Sequence, residues 1–146
     1  MPTGLAYGPD RTLYVSALTG EAPGEGRIYV LDARTGKEKR VITGLTSPTG
    51  VAVALGGTVF VSELFHNAPE FGPEGPPPGF DPSTVGRLVK ITRADKRSYA
   101  AVTLPTGLAY RGGAVYASAW SIAGGLGVPD AGQIVKVSDA AFSPAQ

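Results

Sequence analysis

The chain has 146 residues, with 13 Lys and Arg against 12 Asp and Glu and a formal net charge of +1. That length allows one domain with a hydrophobic core, and the balanced charge shows no basic stripe of the kind that binds nucleic acid. It contains no Cys, which excludes a disulfide framework, a thiolate nucleophile and Cys-based metal sites.

The hydrophobic pattern gives no sign of a membrane segment. Apolar runs are a few residues long, far short of the ~20 that span a bilayer as a helix. Met1 is followed at once by a turn-like Pro2, Thr3 and Gly4. We therefore expect a soluble protein with no membrane partner and no export signal in this chain.

A three-fold repeat dominates the sequence. The motif Pro-Thr-Gly-Leu/Val-Ala begins at Pro2, Pro48 and Pro105. Each copy is followed by a Gly-rich or Asp-containing turn and by a second apolar run that ends in Ser, at residues 12–16, 58–62 and 114–118. These turns carry the residues that tight hairpins need, so both runs are predicted to be antiparallel strands.

A third and a fourth run complete the repeat. The third follows a variable loop and begins with Gly, at residues 26–31, 86–91 and 132–137. A fourth appears only around residues 40–43 and 98–102. The sequence therefore predicts an all-β propeller with three four-stranded blades, at residues 2–47, 48–104 and 105–146, in which the third lacks a full outer strand.

Three blades sweep half of a six-bladed ring and leave two apolar sheet faces open. A two-fold axis would place the last blade of one chain against the first blade of another, at a standard interface of about 800 Å² per partner. We expect a homodimer with no stable isolated monomer. The alternative is that the chain is a segment of a longer propeller, whose other blades complete the ring.

The repeated motif and the Leu-Tyr-Val-Ser run after its hairpin resemble the NHL-like six-bladed propellers and, more narrowly, the ScyD/ScyE-type propeller proteins of bacteria. The resemblance implies a secreted or cell-envelope binding protein. Where NHL repeats carry Asp after the second strand, this chain has Ala17, Glu63 and Ala119. The chain also resembles the calcium-dependent lactonases. Those enzymes use acidic residues on inner strands, whereas the Pro-Thr-Gly strands of this chain carry none.

The loops between second and third strands vary most between units, so they are expected to build a binding face at the channel mouth. The second loop holds Glu63, His66 and Asn67, which suit a divalent metal or a general base, or else hold the loop in place. In the third loop, Trp120 suits stacking on a sugar or aromatic ligand, or burial between blades. The Pro-rich residues 69–82 are expected to form a stiff loop with Phe71 and Phe80 packed over the face.

No Gly-x-Ser-x-Gly elbow or phosphate-binding loop occurs, and the single His lies beside no candidate nucleophile. We therefore favour a non-enzymatic homodimeric scaffold that binds a small molecule or a protein, without a cofactor. The alternative is a metal-assisted hydrolase or lyase of the lactonase-like type that uses Glu63, His66 and Asn67. The recurring Thr3, Thr49 and Thr106 are expected to bond neighbouring backbone rather than a ligand.

Overall fold

A computed structural model describes residues 1–18 and 22–144, which form three antiparallel sheets. Residues 19–21 of the first variable loop and residues 145–146 of the third unit lie outside the described residues. Sheet I contains β1 (Pro2–Gly8), β2 (Thr12–Ala17), β3 (Gly26–Asp32) and β4 (Glu38–Leu45) in sequential order. Sheet II contains β5 (Pro48–Val53), β6 (Val59–Glu63), β7 (Arg87–Ile91) and β8 (Arg97–Ala100). Sheet III contains β9 (Leu108–Arg111), β10 (Ala114–Ala119) and β11 (Gln133–Ser138).

Tight turns join the first two strands of each sheet, as the sequence predicts. Asp10 and Arg11 have φ values of 60° and 57°, and Gly112 and Gly113 have φ values of 60° and 81°. Two consecutive left-handed residues form the hairpin turn that matches the twist of the flanking strands. The Gly pair adopts this conformation without the steric cost that Arg11 bears.

The three sheets stack face to face in sequence order. Because successive side chains of a strand point to opposite faces, Val51 of β5 packs towards sheet I and the next residue, Ala52, packs towards sheet III. The core between sheets I and II contains Tyr14, Ile28, Val30, Ile42, Leu45, Val51, Val59, Val61, Val89 and Ile91. The core between sheets II and III contains Ala52, Phe60, Leu88, Val102, Val115, Ala117 and Ala119. Sheet II is therefore covered on both faces, whereas sheets I and III are each covered on one.

Sheet III has three strands, and the residues after β11 turn back towards sheet II. Tyr99 of β8 exchanges two backbone hydrogen bonds with Ser143, at 2.7 and 2.9 Å. The ring of Phe142 lies 5.5 Å from that of Phe60. The described part of the C-terminal segment thus extends the outer edge of sheet II and leaves β11 as the outer strand of sheet III.

Helical structure in residues 1–18 and 22–144 is limited to three short 3₁₀ turns, at Pro82–Thr84, Ala123–Leu126 and Asp139–Ala141. Among these residues there is no helix with the length and hydrophobicity that a bilayer crossing requires. The near absence of helix agrees with the alternating pattern of the sequence.

Candidate functional site

The first strands of the three sheets meet along a central cleft of about 420 Å³. Its lining comes from the repeated motif and consists of Thr3, Gly4, Leu5, Thr49, Gly50, Val51, Thr106, Gly107 and Leu108. None of these side chains is ionisable. The cleft wall therefore offers apolar contact and hydrogen bonds from backbone and hydroxyl groups, and no general acid or base.

The threonines of the motif link one sheet to the next. The hydroxyl of Thr3 donates to the carbonyl oxygen of Pro48 at 2.9 Å, and the hydroxyl of Thr49 donates to that of Pro105 at 3.0 Å. The hydroxyl of Thr106 instead contacts Oγ of Ser121 at 2.8 Å. These contacts agree with the prediction that the recurring threonines bond neighbouring backbone, except that Thr106 has no following sheet to bond.

The second and third loops pack against each other in a cluster that we call the loop cluster. Its buried centre is Val85, Leu104 and Ala123. Around that centre lie Leu64, Phe65, Ala68, Phe80, Trp120, Ile122, Leu126, Val128 and Ala131. The ring of Phe71 meets that of Phe80 edge to face at 5.4 Å. Phe80 belongs to the loop cluster, whereas Phe71 is 41% exposed.

Asp81 holds the end of the insert. Its Oδ1 accepts hydrogen bonds from the hydroxyl of Ser83 at 2.7 Å and from the backbone N–H of Ser83 at 3.0 Å. These two donors favour the ionised carboxylate and lower the pKa of Asp81. The negative charge thereby caps the first turn of Pro82–Thr84.

Glu63 lies inside the protein rather than on the loop face. Its side chain is 0% exposed; Oε1 pairs with Nε of Arg87 and Oε2 accepts the backbone N–H of Thr46. The guanidinium of Arg87 also lies over the ring of Tyr99, 4.1 Å from its centroid. Both carboxylate oxygens therefore have protein partners, and the carboxylate ties β6, β7 and the connection between sheets I and II together.

His66 and Asn67 line a separate cleft of about 350 Å³ beside the outer strand of sheet II. Its other lining residues are Thr84, Gly86, Arg87, Tyr99, Ala100 and Ala101. The carbonyl of His66 accepts the backbone N–H of Gly86 at 2.8 Å, and Nδ2 of Asn67 donates to the carbonyl of Thr84 at 3.2 Å. The central cleft and this side cleft share no residue.

Trp120 joins the loop cluster from the third loop. Its half-buried ring packs against both the core between sheets II and III and the loop cluster. The backbone of Trp120 has a φ of 55°, and its backbone N–H donates to the carbonyl of Thr103 at 2.8 Å. The next residue, Ser121, contacts Thr106 of the central cleft, and Trp120 itself is not among the residues that line that cleft.

The structure thus places the four predicted residues in three different surroundings. Among the described residues, no group of three or more His, Asp or Glu side chains is arranged to hold a metal ion. Sequence reasoning missed two structural partners, Tyr99 beneath Arg87 and the N–H of Thr46. It also assigned no role to Ser16 and Ser62, although Ser is the penultimate residue of β2, β6 and β10.

Comparison with known proteins supports the fold and leaves the activity open. No protein-family model matches the chain, and the comparison with curated proteins finds no match. The chain is similar in structure to a luciferin-regenerating enzyme of propeller-type fold, with a TM-score of 0.54 and 16% sequence identity. The match covers 98% of this chain and 46% of that enzyme, so the chain spans about half the length of its structural neighbour. This likeness shows an all-β, propeller-type fold.

Proposed function

We propose that the chain is a half-propeller that pairs with a second copy to form a six-bladed ring, and that this ring is a binding scaffold. Its ligand surface is the loop cluster together with the mouth of the central cleft. Neither surface calls for a cofactor, because hydrogen bonding and apolar contact are the chemistry that their residues offer.

The observation that carries this proposal is an exposed apolar face on each terminal sheet. Leu5 on β1 is 67% exposed, although Val51, at the same position of the repeat, is 3% exposed. Ile134 on β11 is 74% exposed, although Ile28 and Leu88, at its repeat positions, are 0% exposed. Each terminal sheet therefore displays to solvent the residue types that are buried at the internal sheet junctions.

Exposure of these side chains is costly in free energy. Burying a Leu or Ile side chain contributes about 1.5–3 kcal/mol, and the two faces also display Tyr7 and Tyr116. A contiguous apolar patch on a protein surface marks an interaction site. A second copy fits because its sheet III can cover sheet I of the first copy, and its sheet I can cover sheet III of the first copy.

The position of Trp120 supports the binding surface. The contact between Ser121 and Thr106 brings the third loop to the central cleft, and the loop cluster joins it to the second loop. An aromatic side chain on a loop that reaches a concave cleft suits a sugar or a small aromatic ligand.

The burial of Glu63 favours a scaffold over the metal-assisted hydrolase or lyase. A metal ligand must offer a free oxygen to the ion, and a general base must reach the substrate, whereas both carboxylate oxygens of Glu63 are engaged by Arg87 and Thr46. Glu63 therefore has a structural role that accounts for its presence.

The mass in solution tests the assembly. Light scattering on the purified chain should give twice the protomer mass of 14.9 kDa, with dissociation only at low concentration. A well-folded monomer over the same concentration range would contradict the proposal.

Fluorescence tests the binding surface, because Trp120 is the single Trp of the chain. Titration with phenyl β-D-glucoside at millimolar concentrations should shift or quench its emission in a saturable way. The control for direct contact is calorimetry, which measures binding of the same glucoside to a Trp120→Phe variant. Unchanged emission together with no heat of binding would count against a sugar or aromatic ligand at this mouth.

A further inference from the structure

We infer that the ring closes through two identical seams, in which β1 of one copy lies against β9 of the other as β1 lies against β5, and β5 against β9, within the chain. This inference rests on the proposed assembly and specifies its contacts. At each seam, Thr106 and Ser118 of one copy meet the first residues of the second copy.

The first support is a series of hydrogen bonds that is made twice within the chain. Oγ of Ser16 donates to the carbonyl of Thr49 at 3.2 Å, and Oγ of Ser62 donates to the carbonyl of Thr106 at 2.6 Å. The equivalent hydrogen bond from Oγ of Ser118 would reach the carbonyl of Thr3 in a second copy. The parallel series from Thr3 to Pro48 and from Thr49 to Pro105 continues in the same way from Thr106 to Pro2.

The second support is a set of glycines at which the absence of a Cβ leaves room for the next sheet. A Cβ on Gly26 would collide with the ring of Pro48, and a Cβ on Gly86 would lie 2.6 Å from Cδ of Pro105. At the third equivalent position, Gly132, a Cβ would meet no atom within 4 Å. The glycine that makes room for a proline is thus present at the open end, where no proline of this chain fills the space.

Glycines of the repeated Pro-Thr-Gly motif show the same pattern. A Cβ on Gly4 would lie 2.8 Å from the carbonyl oxygen of Thr49, and one on Gly50 would collide with that of Thr106. A Cβ on Gly107 would meet only Oγ of Ser118, at 3.3 Å. Close backbone approach is a reason for Gly within a strand, and at Gly107 the approaching strand has to come from a second copy.

The aromatic residues fit the same register. The ring of Phe60 on β6 stacks on that of Tyr110 on β9 at 5.0 Å, with 14° between their planes. The residues at the equivalent positions across a seam are Tyr116 of one copy and Tyr7 of the other. Both are exposed in the single chain, by 39% and 78%.

A glycine substitution separates the seam from the rest of the fold. Gly132→Val should leave the protomer folded, because its side chain enters open space in the single chain and its φ is not positive. Gly56→Val is the matched control, since Gly56 has equally open surroundings and lies in the turn between β5 and β6. We expect the dimer dissociation constant of Gly132→Val to rise about 100-fold, as for an overpacked contact present at both seams, with no change in the control.

A cross-link tests the register directly, because the chain contains no Cys. A Tyr7→Cys/Tyr116→Cys double variant treated with a short bismaleimide should give a covalent dimer on a denaturing gel. A Tyr7→Cys/Leu55→Cys variant should stay monomeric there, because Leu55, 97% exposed, lies in the hairpin turn rather than on a sheet face.

The two proposals fail in different ways. A monomeric wild-type chain would contradict the proposed assembly itself. A dimeric wild type that tolerates Gly132→Val and gives no cross-link between positions 7 and 116 would overturn only the seam, and the assembly would then use another surface.

Discussion

Replacement of Glu63 by Ala should destabilise the protein strongly, because Glu63 forms a buried ion pair. In Glu63→Ala, Arg87 keeps its charge without its partner and the N–H of Thr46 loses its acceptor. Removing one member of a buried ion pair costs about 3–5 kcal/mol. Arg87 is 15% exposed and rests on Tyr99, so water and the ring recover part of that loss. We expect a decrease of about 3 kcal/mol in the free energy of unfolding.

The repeat itself supplies the matched control. Glu63 and Arg87 are paired in register between β6 and β7, and Ala119 and Gln133 hold the corresponding positions in sheet III. The double variant Glu63→Ala/Arg87→Gln removes both charges and copies the sheet III pair. It should be about 1–2 kcal/mol more stable than Glu63→Ala alone, because no uncompensated buried charge remains.

Urea unfolding followed by circular dichroism measures both variants, at one fixed protomer concentration because dimerisation is linked to folding. A change below about 0.5 kcal/mol in Glu63→Ala would refute the structural role, since surface substitutions give changes of that size. Zn²⁺ or Ca²⁺ that raises the melting temperature of the wild type, but not that of Glu63→Ala, would support the metal-assisted enzyme instead.

Three further outcomes are expected. Phe60→Ala should lower the free energy of unfolding by about 3–5 kcal/mol in urea melts, because Phe60 is fully buried against two rings; Leu55→Ala, at a residue 97% exposed, should change it by less than about 0.5 kcal/mol. Ser62→Ala should cost about 1–3 kcal/mol by the same assay, because the N–H of Gly50 loses an acceptor at 2.7 Å and the carbonyl of Thr106 loses a donor. The pKa of Asp81 is lowered by Ser83, so the cap stabilises the insert above the ordinary carboxyl pKa and is lost as pH falls through the lower folded value. Amide chemical shifts of Ser83 that titrate at or above the ordinary Asp pKa would contradict that assignment.

Much of the fold follows from local sequence. The Pro-Thr-Gly motif, the Gly and Asp turns and the alternating apolar runs predict three antiparallel sheets, because strand period and turn chemistry depend on neighbouring residues. The short third unit likewise indicates the missing outer strand of sheet III.

The surroundings of the predicted site residues required the tertiary structure. From the sequence alone, Glu63 is interpreted as a carboxylate that is available to a ligand, because its partners are not its sequence neighbours. In the structure, a neighbouring strand brings Arg87 to Glu63, and the connection from the preceding sheet brings the N–H of Thr46. His66 and Asn67 follow it closely in sequence, yet the chain turns them into a side cleft that is separate from the central one.

The sequence by itself determined which segments are strands and that one sheet is repeated three times, since both depend on short-range patterns. Only the tertiary structure decided that the segment after β11 pairs with sheet II at Tyr99 and Ser143, and which repeat positions remain uncovered. Burial depends on the chain that lies opposite a residue, and that chain comes from positions far away in sequence.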